Sequence, residues 1–168
     1  MKDVKKTLID IIEVIAISIL VALLCFKFVF ISAQVNGTSM YPTLKDGDKG
    51  YSFIIKKNIS INRFDICVID SDKCDELLVK RIIGLPNETI EYKDNKLYIN
   101  GEYYEEDFVN DDAITEDLTI TLGDDEYFCL GDNRLVSRDS RYYGSFNKDE
   151  ILSTGMFVFY PFSDFGVK

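Results

Sequence analysis

The decapeptide VNGTSMYPTL, Val35 to Leu44, sets Ser39 among small and polar residues just after a long apolar run. A serine hydroxyl is a weak nucleophile and needs a base beside it. The chain contains no histidine, so neither a Ser-His-Asp nor a Cys-His site can form within it, and His-ligated zinc is excluded. A carboxylate, the N-terminal amine and a lysine remain. A carboxylate with an ordinary pKa of about 4 is too weak for the task. The Met1 amine precedes the apolar run and lies across the membrane from Ser39 if that run spans one. A lysine serves once burial strips water from its ammonium and lowers its pKa.

Lys45, Lys49, Lys73, Lys93 and Lys148 have polar neighbours, whereas Lys80 lies in LLVKRIIGLP. On a strand it shares a face with Leu78 and Ile82 and points toward an apolar layer. Strand pattern alone favours an edge-strand lysine that discourages aggregation. A third cluster, GDNRLVSRDSRYYG from Gly131 to Gly144, packs Ser137, Asp139 and Arg134, Arg138 and Arg141 into one loop. Local ion pairs would fix it, as a hydrogen-bonded surface turn or as a frame holding a hydroxyl beside a lysine. The serine is not in a G-x-S-x-G elbow, because Tyr41 stands where the second glycine would be. Of the four cysteines, Cys25 falls in the apolar run and Cys67, Cys74 and Cys129 form no C-x-x-C pair, so no metal site is expected. Cys67 and Cys74 flank a polar turn and read either as a hairpin disulfide or as two free thiols.

The elements that must position these residues begin with an anchor. MKDVKK carries three lysines, and Val14 to Ile31 is apolar apart from Ser18 and Lys27. That length nears the ~20 residues needed to cross hydrocarbon. The run has no polar face, which disfavours a surface helix. Ile31 in ISA is a poor fit to a small-x-small leader cleavage site. Clustered lysines before the span predict a cytoplasmic N-terminus. We therefore expect a short cytoplasmic segment at 1–8, a single transmembrane anchor at 9–31 and an extracytoplasmic domain at 32–168.

That domain reads as mainly β, with antiparallel strands about ten residues apart. FDICVID, ELLVKRIIG, EYFCLGDN and GMFVFYPF are β-rich runs, and LKDGDKGYSFII follows a D-G turn. Asn100-Gly101 inside KLYINGEYYEE signals a hairpin. No amphipathic helix is evident after the anchor. Residues 105–126, rich in Asp, Glu and Thr, read as a solvated excursion within a smaller inserted region at about 90–128. A net charge of −10 in 168 residues, with 46% hydrophobic and 29% charged residues, describes an ordinary globular surface and argues against nucleic acid as a partner.

Taken together, NGTSMYPTL, VKRIIGLPNETI and GDNRLVSRDSRYYG, with looser agreement in DGDKGYSFIIKK, resemble in order and spacing the motifs of the bacterial type I signal peptidases. The resemblance spans about residues 8–162 and is to the single-anchor, Gram-positive-like form. It implies an antiparallel β-sheet catalytic domain and a Ser-Lys dyad. Ser39 would be the acylating nucleophile and Lys80 the general base. Ser137 would orient the Lys80 amine, and Asp139 with Arg141 would hold that loop. The backbone N–H of Ser39 would donate to the oxyanion. Gly37 stands where some members carry a second oxyanion hydroxyl, which leaves that donor open. Asn87 replaces a glycine and must tolerate left-handed backbone.

The implied substrates are secretory preproteins cut after small residues of the Ala-x-Ala kind, at the surface of a lipid bilayer, with no cofactor, metal or nucleic acid. Such a peptide would add as a strand beside Val35 and Val79. Val35, Met40, Leu78 and Val79 are the expected walls of its shallow pockets. Ser39 lies at most ~28 Å of extended chain beyond Ile31, within reach of a membrane-inserted substrate. GMFVFYPF reads as a core strand or as a strand partly exposed toward lipid. A same-fold maturation peptidase and a non-catalytic anchored scaffold for signal peptides are the alternatives. Self-cleavage is disfavoured, since Ala113 is the sole alanine after Ala33.

Overall fold

A computed structural model of the protein describes residues 2–54, 61–110 and 112–168. Met1, Asp111 and residues 55–60, the last holding the end of the LKDGDKGYSFII run and its following lysines, lie outside the described residues. Helix α1 (Lys2–Val29) is followed at once by β1 (Phe30–Gln34). Phe30 and Ile31, read from composition as the end of the apolar span, thus belong to a strand. At 28 residues, α1 is about 42 Å long at 1.5 Å per residue. Its Val4–Val29 portion is the one described helix long and apolar enough to cross a membrane, with a mean hydropathy of 2.7 and no burial against the domain.

After β1 come β2 (Lys49–Phe53), β3 (Ile66–Ile69) and β4 (Leu78–Gly84). Next are β5 (Thr89–Lys93), β6 (Lys96–Ile99), β7 (Glu102–Tyr104) and β8 (Leu118–Thr121). The chain then returns through β9 (Glu126–Leu130), a one-turn helix α2 (Ser140–Tyr143), β10 (Phe146–Asn147), β11 (Ile151–Tyr160) and β12 (Gly166–Val167). The larger sheet has the order β1-β2-β11-β3-β4-β9-β10, with β12 on β11; the smaller has the order β7-β6-β5-β8. All described pairings are antiparallel.

The sequence explains the layering. β3, the apolar run Ile66–Ile69, is buried at every residue, as suits a central strand covered on both faces. β5 and β6 alternate between buried and more exposed residues, because one face of the small sheet packs on the domain. Ile90, Leu97 and Ile99 of that face meet Ile83, Phe128 and Leu130 of the large sheet. A second core, built on Ile69, Leu78, Ile82 and Phe146, lies around the middle of the large sheet. A third, of Val35, Met40, Leu44, Ile66, Met156 and Val158, lies under the serine segment. β11 contributes Met156 and Val158 to this core, while Tyr160 at its end is exposed.

Two tight turns set the small sheet. Asn100 and Gly101 both have positive φ, giving the β6–β7 hairpin the twist its strands require. Asp94 and Asn95 do the same between β5 and β6. Asn87 has φ +66°, so it adopts the left-handed backbone that its position demands.

The acidic stretch after β7 is less solvated than its composition implies. Ala113, Thr115 and Leu122 are buried. Asn95 holds the stretch in place, donating from Nδ2 to the Ala113 carbonyl at 2.8 Å and accepting from the Thr115 N–H at 2.8 Å. Polar composition cannot reveal such a strap, because its anchors are backbone groups.

Candidate active site

The serine segment is held by its own turns and by its neighbours. The Tyr41 and Leu44 N–H groups donate to the Thr38 and Met40 carbonyls. Met40 and Leu44 plug the core beneath, which leaves Ser39 half-buried and facing outward. Gly37 has φ +86°, and its N–H donates to Asp46 Oδ1 at 2.7 Å. Across the segment, the Asn133 N–H donates to the Ser39 carbonyl at 3.0 Å, and Asn133 Nδ2 donates to the Thr38 carbonyl at 3.1 Å.

Lys80 arrives from β4. Opposite Cys67 on β3 and next to Leu78 and Ile82 in alternation, its side chain enters an apolar layer. Only 3% of Lys80 is exposed. Its Nζ lies 2.9 Å from Ser39 Oγ and donates to the Val79 carbonyl at 3.0 Å. Burial pushes the Lys80 amine below its ordinary value, with the Asp139 carboxylate opposing that shift.

The loop from Gly131 to Gly144 lies against both. Asp139 is fully buried. It accepts from Arg141 Nε and Nη2 at 2.9 and 2.8 Å, from the Arg141 N–H at 3.2 Å and from the Gly131 N–H at 3.0 Å. Ser137 Oγ is buried without a hydrogen-bond partner, so in this geometry it does not touch Lys80 Nζ. A Cβ built on Gly131 would collide with both Ser137 Oγ and the Ser39 carbonyl; the loop approaches the serine because that residue has no side chain.

Of the four expected wall residues, Val35, Leu78 and Val79 line a cleft of about 750 Å³ together with Ser39 and Lys80. Met40 does not; it is 1% exposed and serves the core. One wall is the chain from Ile31 to Ser39 and the other runs from Cys74 to Lys80. β4 pairs with β3 through Leu78–Arg81, but with β9 only from Arg81 onward. Leu78, Val79 and Lys80 therefore present an unpaired strand edge to the cleft, suited to an added strand.

Sequence reasoning missed Cys74, Val136, Arg138 and Tyr143 on this cleft, since their placement depends on long-range folding. Cys67, Cys74 and Cys129 are all free thiols. Cys67 faces Cys129 at 4.0 Å between sulfurs rather than Cys74. Among the described residues no group of three or more acidic or cysteine side chains could hold a metal.

A hydrogen-bonded serine-lysine pair on the wall of a cleft of mixed polar and apolar lining is an arrangement for acyl transfer, with a neutral amine accepting the hydroxyl proton. Residues 8–160 match the family described as signal peptidase, peptidase S26. Signal peptidase I S of Bacillus subtilis (strain 168) is 39% identical, covering 95% of this chain and 93% of its own. Signal peptidase IB of Staphylococcus aureus is 33% identical, covering 96% and 94%. The crystal structure of a signal peptidase I from Enterococcus faecalis V583 superposes with a TM-score of 0.52 at 37% identity, over 56% of this chain and 96% of that one.

Proposed function

The chain belongs to the signal peptidase family, peptidase S26, and we propose that Ser39 and Lys80 are the dyad with which it cuts secretory preproteins after small residues. Membership makes it a serine endopeptidase that removes signal peptides. The observation carrying the finer reading is the 2.9 Å contact between Ser39 Oγ and Lys80 Nζ, with the lysine almost wholly buried.

The neutral Lys80 amine takes the Ser39 proton as Oγ attacks the scissile carbonyl. The resulting ammonium gives that proton to the leaving amine as the peptide bond breaks, and the signal peptide stays as an ester on Ser39. Lys80 then takes a proton from water, whose oxygen attacks the ester, and Ser39 recovers its hydroxyl proton as leaving group. Among the described residues nothing accepts from the Ser39 N–H, which leaves it to donate to the oxyanion. The Gly37 N–H is engaged by Asp46 and is not the second donor in this geometry.

The substrate strand lies between Val35 and the Leu78–Val79 edge, whose branched apolar side chains favour small apolar residues such as alanine beside the scissile bond. Ser137 orients Lys80 as substrate closes the site, and the Asp139–Arg141 pair holds the loop that carries it. α1 is a single-pass anchor in the cell membrane with its lysine-rich N-terminus in the cytoplasm, and the cleft faces the outer side. Incubating the purified chain with a preprotein bearing an Ala-x-Ala site, then sequencing the new N-terminus, tests this. Cleavage should follow the second alanine and vanish in Ser39→Ala and Lys80→Ala. A Lys80→Ala protein that kept most of its activity would overturn the dyad.

A further inference from the structure

We infer that Glu106, in the acidic stretch beyond the small sheet, is a positioning residue for the nucleophile that acts through Arg134 and Asn133; the inference rests on the Ser39–Lys80 reading above. Arg134 has a side chain only 1% exposed. Its Nη2 lies 2.5 Å from Glu106 Oε1 and its Nη1 3.3 Å from Oε2. Nη1 also donates to Tyr92 Oη and Thr115 Oγ1, each at 3.0 Å, and the Tyr92 hydroxyl donates to Glu106 Oε1 at 2.9 Å. A guanidinium this deep needs a carboxylate beside it, so Glu106 decides where Arg134 sits.

Arg134 in turn holds the loop that touches the serine. Its Nε donates to the Gly131 carbonyl at 3.2 Å, which tightens the turn 131–134. The intervening Asn133 grips the Thr38 and Ser39 carbonyls by the two hydrogen bonds described above. Contacts thus run from the small sheet to the peptide plane of the nucleophile. A tilt of that plane moves Oγ and the oxyanion-facing N–H together, and a displacement of about 1 Å costs on the order of 100-fold in rate. The cleft walls at Val35 and Leu78 and the free edge of β4 are not on this path, so substrate binding is spared. Nor does Lys80 hydrogen-bond Glu106, Arg134 or Asn133; its partners are Ser39 Oγ and the Val79 carbonyl, and burial is the largest influence on its amine.

The test is steady-state kinetics on a preprotein with the full chain and its E106Q, E106D, N133A and E106Q/N133A variants. E106Q should lower kcat roughly 5- to 30-fold with KM and the pH midpoint of the profile unchanged, and E106D should recover part of the loss. Because Glu106 acts through Asn133, E106Q/N133A should be about as slow as N133A alone. A kcat for E106Q within about twofold of the parent, a loss confined to KM, or losses that multiply in the double variant would each overturn the inference. If E106Q does not fold, Y92F removes one hydroxyl shared by Arg134 and Glu106. It should lower kcat about threefold at constant KM, and an unchanged kcat overturns the inference. K80A run in parallel reports on the dyad separately: activity there sinks the Ser39–Lys80 reading whatever Glu106 does.

Discussion

Arg81, the residue after the lysine, closes a two-pronged ion pair on Asp132, the residue before Asn133. Nε to Oδ1 is 2.8 Å and Nη2 to Oδ2 is 2.7 Å, with side chains only 7% and 1% exposed. Thr43 Oγ1 donates to the same carboxylate at 2.5 Å, and Arg81 Nη1 donates to the Phe64 carbonyl at 2.8 Å. One pair therefore ties the lysine strand, the serine segment and the serine-arginine loop together. Its neighbours on either side face the reaction while the pair itself faces the core.

Breaking that pair leaves one buried charge alone, which typically costs about 3–5 kcal/mol. Arg81→Met should therefore lower the thermal midpoint sharply. Arg81→Met with Asp132→Leu should recover much of the loss, because no orphaned charge remains. Thermal unfolding of the detergent-solubilised chain measures both. A single substitution costing under about 1 kcal/mol would show that the pair does not bind the three segments.

The pH profile follows from the burial of Lys80. Its amine is depressed from the ordinary value, and only the neutral form accepts the serine proton. kcat/KM should thus rise with pH through a midpoint below ~10.4. Asp139 opposes the depression through its negative charge. Asp139→Asn should move the midpoint to lower pH while lowering the plateau, since Arg141 and the Gly131 N–H lose their charged partner. A kcat/KM that does not rise with pH below ~10.4, or a midpoint that rises in Asp139→Asn, contradicts this account.

Much of this site was legible from residue types. The missing histidines restricted the base, and the apolar neighbours singled out Lys80, although strand pattern alone favoured an exposed edge; the structure has it buried. The Asn100-Gly101 turn and the runs that became β3, β4, β9 and β11 were equally plain. What composition could not show was long-range. Met40 reads as a pocket wall beside the serine, yet the turn rotates it into the core. Residues 105–126 read as solvated, yet Glu106 and Thr115 reach a buried arginine. Asp94-Asn95 is a hairpin turn without a glycine and gave little signal. The Cys67–Cys129 approach depends on two strands flanking β4, far apart in sequence.

A buried lysine is a cost to the fold that function explains. The depressed amine means that between its folded and unfolded values the unfolded chain binds more protons, so folding stability rises with pH across that interval. Lys80→Met, similar in length and uncharged, should be inactive yet more stable than the parent at pH 7, by on the order of 1 kcal/mol. Its advantage should shrink as the pH approaches 10.5, the ordinary lysine value, because the parent then loses its penalty. Equal or lower stability for Lys80→Met at neutral pH would mean that the amine is well solvated in the folded protein, and the basis for its catalytic pKa would fail.

Ser137 offers the sharpest separation of stability from catalysis. Its hydroxyl is buried beside Gly131 with no partner, and an unsatisfied buried polar group costs about 1–3 kcal/mol. A fold selected for stability alone would carry alanine there. The hydroxyl earns its place only if it gains a partner during the reaction, and the amine of Lys80, freed from Ser39 Oγ as that oxygen becomes an ester, is the group that needs one. Catalytic hydrogen bonds are often absent before substrate closes a site. Ser137→Ala should therefore fold with an equal or higher thermal midpoint, bind substrate with KM changed by no more than about threefold, and lose about tenfold or more in kcat. Single-turnover measurements would place the loss in acylation and in ester hydrolysis alike, because Lys80 must be oriented in both. An unchanged kcat would remove Ser137 from the machinery and leave its buried hydroxyl as a structural defect.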